Sequence, residues 1–310
     1  MKVGCRLVLV LFAISVSARA LGQALSPEFV HGVDYSFERM EATRSVDDAD
    51  DRGSIRLVTL VYRPLKIDNR QVVLFSHGST GGEIKSPKEP WEGPPQSVIN
   101  FFVTRGYTVV APMRRGRAES SGTYVEECAI YAGECTLARQ TAMMERSLRE
   151  AMLDTSAVID QIVVRRLMPR DGKLLLVGVS RGGFLSLMIA SERPQQVKGI
   201  VNFVGGWLSV SPKYPDADNA LRLKAQSDRL TQAGKGSAAP SVWVYAARDP
   251  LYDEATTREF FRAYREAGGR GEYVFVRDHP LPSGHNVASA LPLWQSAVDG
   301  FLKNVDAGPR

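Results

Sequence analysis

Residues 173–184, Lys-Leu-Leu-Leu-Val-Gly-Val-Ser-Arg-Gly-Gly-Phe, constrain this chain more than any other stretch. Lys173 to Val177 is rich in β-formers, Gly178 to Gly182 turns sharply, and Phe184 to Ala190 has the make-up of a helix. A serine on such a strand-to-helix turn is held in a strained backbone conformation with its hydroxyl thrust outward. Its flanks must be small because strand and helix approach closely there, and Gly178 and Gly182 meet that need. Ser180 is therefore a candidate nucleophile. The competing reading is a glycine-bounded turn in which Ser180 only caps a helix. The five-residue pattern is common by chance, so its context decides: an apolar strand leads in, a helix leads out, and an acid and then a histidine follow downstream.

Strand and helix patterns alternate along most of the chain. Ile55 to Tyr62, Gln71 to Ser76, Tyr107 to Ala111, Val197 to Val204, Ser241 to Ala247 and Glu272 to Val276 read as further strands. Helices are expected over Ser97 to Arg105, Gln140 to about Met168, Asn219 to Leu230 and Glu254 to Ala267, with a last one carrying Trp294, Val298 and Phe301 on one face. From Ser26 to Ser54 no element is legible, and Asp47 to Asp51 reads as a polar turn. It lacks the spaced ligands of a calcium loop. Strands alternating with helices call for an α/β fold with a largely parallel sheet covered on both faces. Reactive groups then gather beyond the carboxyl ends of the strands.

Ser180, Asp249 and His285 each follow a predicted strand. A serine hydroxyl is a poor nucleophile at neutral pH, so a histidine must take its proton and a carboxylate must orient that histidine. His285 is the expected base and Asp249 the expected acid, with His279 and Asp253 as alternatives. The turn Ser76-His77-Gly78-Ser79 after its strand can aim backbone N–H groups at a developing oxyanion. Ser79, with Thr80 as rival, and Arg181 are the expected donors, and His77 is expected to be structural. Arg114 to Arg117 forms a basic loop beyond a strand, which fits either a solvated turn or a substrate contact. Trp207 fits either packing or the pocket.

The first residues differ from the rest. Met1, Lys2 and Arg6 precede the apolar run Leu7 to Val16, and small residues follow at Ala18, Ala20, Gly22 and Ala24. This is the layout of a secretory signal over residues 1–24, leaving one domain over 25–310 and an exported, periplasmic or secreted product. The run is too short to span a bilayer, so no stable membrane insertion is expected after cleavage. Loss of Lys2, Arg6 and Arg19 with no acid lowers the formal charge from +5 to +2. With no basic stripe interleaved with aromatics elsewhere, nucleic acid is not an expected partner. Of three cysteines, Cys5 leaves with the signal, and Cys128 and Cys135 are expected to form a disulfide in the long irregular segment Ala118 to Leu137. Neither has a histidine nearby, so no metal site is expected.

The order Ser180, Asp249, His285, with Gly178-Val-Ser-Arg-Gly182, Ser76-His-Gly-Ser79 and Gly284-His285, resembles an α/β-hydrolase. More narrowly it is similar to exported dienelactone-hydrolase-like serine hydrolases, from about Val72 to Leu302. The resemblance implies an eight-stranded, mostly parallel sheet without a large lid domain, no cofactor, and hydrolysis of a small carboxylic ester or lactone through an acyl-enzyme. Peptidase or acyl-transfer activity would use the same chemistry. A binding protein that keeps the fold without turnover is the reading from a different class. Two departures stand out. Ala246-Ala247-Arg248 precedes the acid where the group has a glycine-containing turn, and dienelactone hydrolases proper use a cysteine where this chain has Ser180.

Overall fold

The computed structural model describes residues 34–48, 50–79, 93–126 and 135–306. The expected signal segment, Thr80 and Cys128 lie outside these residues. Eight strands form one sheet in the order β1-β2-β4-β3-β5-β6-β7-β8. Strands β3 (Gln71–Ser76), β4 (Tyr107–Pro112), β5 (Leu174–Val179), β6 (Val197–Phe203), β7 (Pro240–Ala246) and β8 (Arg270–Val276) run parallel. Their central members are almost wholly buried, because helices cover both faces and leave no polar side to alternate with the apolar one.

Strand β1 (Tyr35–Asp47) is the element that sequence patterning missed. It pairs antiparallel with β2 (Arg52–Pro64) along its full length, and β2 then pairs antiparallel with β4. β1 is the edge strand, so only Met40, Ala42 and Val46 along it are fully buried, with polar and charged residues at the positions between. That dilutes the apolar alternation on which a strand assignment rests. Beyond the paired residues the Asp48 N–H donates to the Asp51 carbonyl at 3.0 Å.

The helices are α1 (Gln96–Val103), α2 (Leu137–Val164), α3 (Arg181–Glu192), α4 (Asp216–Gly236), α5 (Glu254–Glu266) and α6 (Gln295–Asp306). Thr136 caps α2 by accepting the Arg139 N–H, so the helix begins at Leu137, three residues before the expected start. The helix stops at Val164, short of Met168, where Arg166 turns left-handed ahead of Pro169. α4 is longer than expected at both ends. The final helix starts only after Trp294, whose buried indole packs edge-on to Phe101 and Phe203 at 4.9 and 5.0 Å between ring centroids. α3 packs on β5, β6 and β3, directly beneath the turn that carries Ser180.

Candidate active site

Ser180 joins β5 to α3 with φ 56° and ψ −124°, a region that a residue with a Cβ avoids. Such a conformation costs about 1–3 kcal/mol and persists only where the surroundings impose it. Here they do. The Ser180 N–H donates to the Phe203 carbonyl at 2.8 Å, and its carbonyl accepts from the N–H groups of Phe184 at 3.1 Å and Gly206 at 3.3 Å. The flanking glycines are demanded by contact rather than by φ. A Cβ on Gly178 would sit 2.1 Å from the Gly182 carbonyl oxygen, and one on Gly182 would sit 1.8 Å from the Ser76 carbonyl oxygen.

Asp249 follows β7, and His285 lies in a short 3-10 turn, Gly284–Ser289. A Cβ on Gly284 would stand 2.2 Å from the Ala247 carbonyl oxygen, so glycine lets that turn close onto the end of β7. The closure brings His285 Nδ1 within 2.9 Å of Asp249 Oδ2. The Asp249 carboxylate is almost fully buried, and its other oxygen accepts the Leu251 N–H at 2.8 Å. Nδ1–H donation to Asp249 leaves Nε2 as the basic nitrogen of the ring.

The two alternatives are occupied elsewhere. Asp253 caps α5 by accepting the Thr256 N–H at 2.8 Å. His279 braces the loop before the acid: Nε2 lies 2.7 Å from the Ala247 carbonyl oxygen and Nδ1 3.0 Å from an Arg248 amino group.

Ser180, Ser79 and Arg181 line one cavity of about 330 Å³, with Tyr252 and Trp207 in its wall. Tyr252 links the cavity to the acid–histidine pair, its ring centroid 6.1 Å from that of His285. Gly78 places the turn after β3 against the serine, since a Cβ there would be 3.9 Å from Ser180 Oγ. Trp207 does both things foreseen for it: it lines the cavity, and its buried indole N–H donates to Ser147 Oγ at 3.0 Å.

The arginine loop is neither a solvated turn nor a free cationic patch. Arg114 donates to the carbonyls of His77 at 2.8 Å and Gly78 at 3.0 Å, and is ion-paired with Glu126. Arg115 pairs with Asp48, Asp51 and Glu150, so the β1–β2 hairpin turn is its counter-charge. Arg117 stacks on Tyr124 with 3.9 Å between guanidinium carbon and ring centroid, and has Glu126 at 3.9 Å. Glu126, which sequence reasoning did not single out, also faces Arg181 at 3.6 Å. Burial by itself would raise its carboxyl, but Arg114, Arg181 and Arg117 outweigh burial and hold it well below the usual range. Nothing local marks Glu126 as their partner, because a cluster of arginines needs acids only once the fold buries it.

His77 is buried beneath the same turn. Its Nδ1 is 2.7 Å from the Gly78 carbonyl oxygen, and Nε2 accepts the Arg114 N–H at 3.3 Å. Burial, reinforced by Arg114, pushes it down to about 3, so it stays neutral. Arg114 and His77 thus fix the carbonyls just ahead of Ser79. Among the described residues no group of three or more His, Cys, Asp or Glu side chains is placed to hold a metal ion.

The family model for the alpha/beta hydrolase fold matches residues 71–241, more than half of the chain. No curated protein matches it. Solved structures of similar fold include an esterase of Pyrococcus furiosus (17% identity, 87% of this chain and 91% of that one, TM-score 0.58). Others are an acylaminoacyl peptidase of Pyrococcus horikoshii (14%, 88% and 42%, 0.57) and acetyl xylan esterase 1 of a Thermoanaerobacterium (18%, 83% and 86%, 0.51).

Proposed function

We propose that this chain, which belongs to the alpha/beta hydrolase fold family, is a serine hydrolase that cleaves a small carboxylic ester through an acyl-enzyme. The observation that carries the reading is a strained Ser180 on the strand-to-helix turn, in a cavity whose Tyr252 stands beside a histidine already bonded to a buried aspartate. In this mechanism His285 Nε2 takes the proton as Ser180 Oγ attacks the ester carbonyl, and the proton then passes to the departing alcohol. Asp249 keeps Nδ1–H in place and stabilises the imidazolium. The backbone N–H groups of Ser79 and Arg181 stabilise the oxyanion, and water then attacks the acyl-enzyme by the same route.

The esterases among the structures of similar fold support an ester as the first substrate to try. Export after removal of residues 1–24, a mature domain over 25–310 and a Cys128–Cys135 disulfide belong to the same proposal. They rest on the sequence alone, and intact mass of the secreted protein before and after reduction tests all three. The function is tested with p-nitrophenyl esters from acetate to decanoate. Wild type should turn over the short members, and Ser180→Ala, His285→Ala and Asp249→Ala should each lose about 10³-fold or more in kcat/KM. Asp253→Ala should keep near-wild-type kcat/KM and lose only about 1 kcal/mol of stability as a cap. Equal loss at Asp253 and none at Asp249 would reassign the acid.

A further inference from the structure

Four arginines are fully buried among the described residues: Arg114, Arg115, Arg117 and Arg222. The first three each have a carboxylate within 4 Å. Arg222, on α4, has none among the described residues, yet it is only 3% exposed and lines the cavity beside Ser180. Its contacts are neutral. Nη1 donates to the Ser209 carbonyl at 3.3 Å, Nη2 donates to Gln140 Oε1, and the guanidinium lies over the Tyr214 ring at 3.6 Å. Nε has no hydrogen-bond partner. A guanidinium stays protonated at any working pH, so a full positive charge is buried here with a donor unmatched.

The rest of the cavity wall does not supply the missing charge. Glu126 is the one carboxylate lining it among the described residues, and Arg114, Arg117 and Arg181 already share it. Arg181 lines the cavity too, its Nε donating to the Trp207 carbonyl at 3.2 Å. Among the described residues of its wall, Arg222 is the guanidinium with no carboxylate within reach. We propose that the cavity takes an ester bearing a carboxylate a few bonds from the scissile carbonyl, with Arg222 as the residue that recognises that carboxylate. This rests on the serine-hydrolase reading of the same cavity. A planar guanidinium fits a carboxylate in geometry as well as charge, and about 330 Å³ suits a short half-ester rather than a long acyl chain.

The test uses two matched pairs that differ only in replacing a carboxylate by an isopropyl group of similar shape. Ethyl hydrogen succinate against ethyl 4-methylpentanoate places the charge on the acyl side. 3-Acetoxypropanoate against isopentyl acetate places it on the alcohol side. Rates are followed by pH-stat and corrected for spontaneous hydrolysis. Wild type should favour the anionic member of at least one pair by about tenfold or more in kcat/KM, the scale of one charge-assisted hydrogen bond. Arg222→Met should abolish or reverse that preference, and Arg222→Lys should keep part of it.

If Arg222 only ties α4 to its neighbours, Arg222→Met will slow both members in parallel and leave their ratio unchanged, which overturns the proposal. So does a wild type without preference in either pair. Calorimetric titration of the same four esters into the Ser180→Ala protein separates the two levels of inference. An anion preference that vanishes in Ser180→Ala/Arg222→Met, in a protein whose wild type cleaves nothing, leaves the anion site standing and removes the hydrolase. Turnover without preference does the reverse.

Discussion

Replacing Glu126 by glutamine keeps its shape and removes its charge. Arg114 would then lose its buried ion pair, and Arg117 and Arg181 would each lose a carboxylate neighbour. Breaking one buried ion pair from one side costs about 3–5 kcal/mol, because the remaining charge stays desolvated. With roughly 2–4 °C of Tm per kcal/mol in a domain of this size class, the melting temperature should fall by about 10 °C. The sign of the pH dependence is also set. The folded-state carboxyl titrates below its unfolded value of about 4.5, so its stabilisation is full above that pH and fades as the pH falls below it. The gap between wild type and Glu126→Gln, measured by urea unfolding, should be widest at pH 7 and should narrow by about 1.4 kcal/mol per unit below pH 4.5. Arg114 also holds the carbonyls of His77 and Gly78, so kcat should fall more than KM rises. A loss under about 1 kcal/mol that does not change with pH would refute this account of Glu126.

Two further predictions follow from particular contacts. Gly182→Ala should fail to fold or lose more than about 4 kcal/mol, because its Cβ would meet the Ser76 carbonyl oxygen at 1.8 Å, whereas Gly300→Ala, with nothing within 4 Å in α6, should gain about 0.5–1 kcal/mol by calorimetry. His77 is pushed down to about 3 from 6.5, so on acidification the unfolded chain takes a proton that the folded one refuses; wild type should lose about 2.5 kcal/mol between pH 6.5 and 4.5 that His77→Asn does not, and parallel stability curves for the two proteins would contradict it.

What could be read from the sequence was whatever local pattern encodes. The run of β-formers into Gly178-Val-Ser-Arg-Gly182 made a strand–turn–helix legible, and strand periodicity put Asp249 and His285, like Ser180, just beyond strands. β1 escaped because an edge strand needs few apolar residues. The charges of Arg114, Arg115 and Arg117 were visible but their partners were not, since Asp48, Glu126 and Glu150 reach them only through the fold. A cationic loop therefore fitted a solvated turn or a substrate contact equally, whereas Arg114 in it braces the turn before Ser79. Arg222 gave no signal at all. On a helix otherwise rich in polar residues, nothing local distinguishes a buried arginine from a solvated one.

The central claim is that Ser180 is a nucleophile activated by His285 and Asp249, and covalent labelling reads this without knowledge of the substrate. A fluorophosphonate should modify wild type at one equivalent, with the adduct mass on the peptide containing Ser180. Labelling should be absent in Ser180→Ala, slowed about 10³-fold or more in His285→Ala, and unchanged in Asp253→Ala. An unlabelled wild type, or an adduct that persists in Ser180→Ala, would contradict the claim.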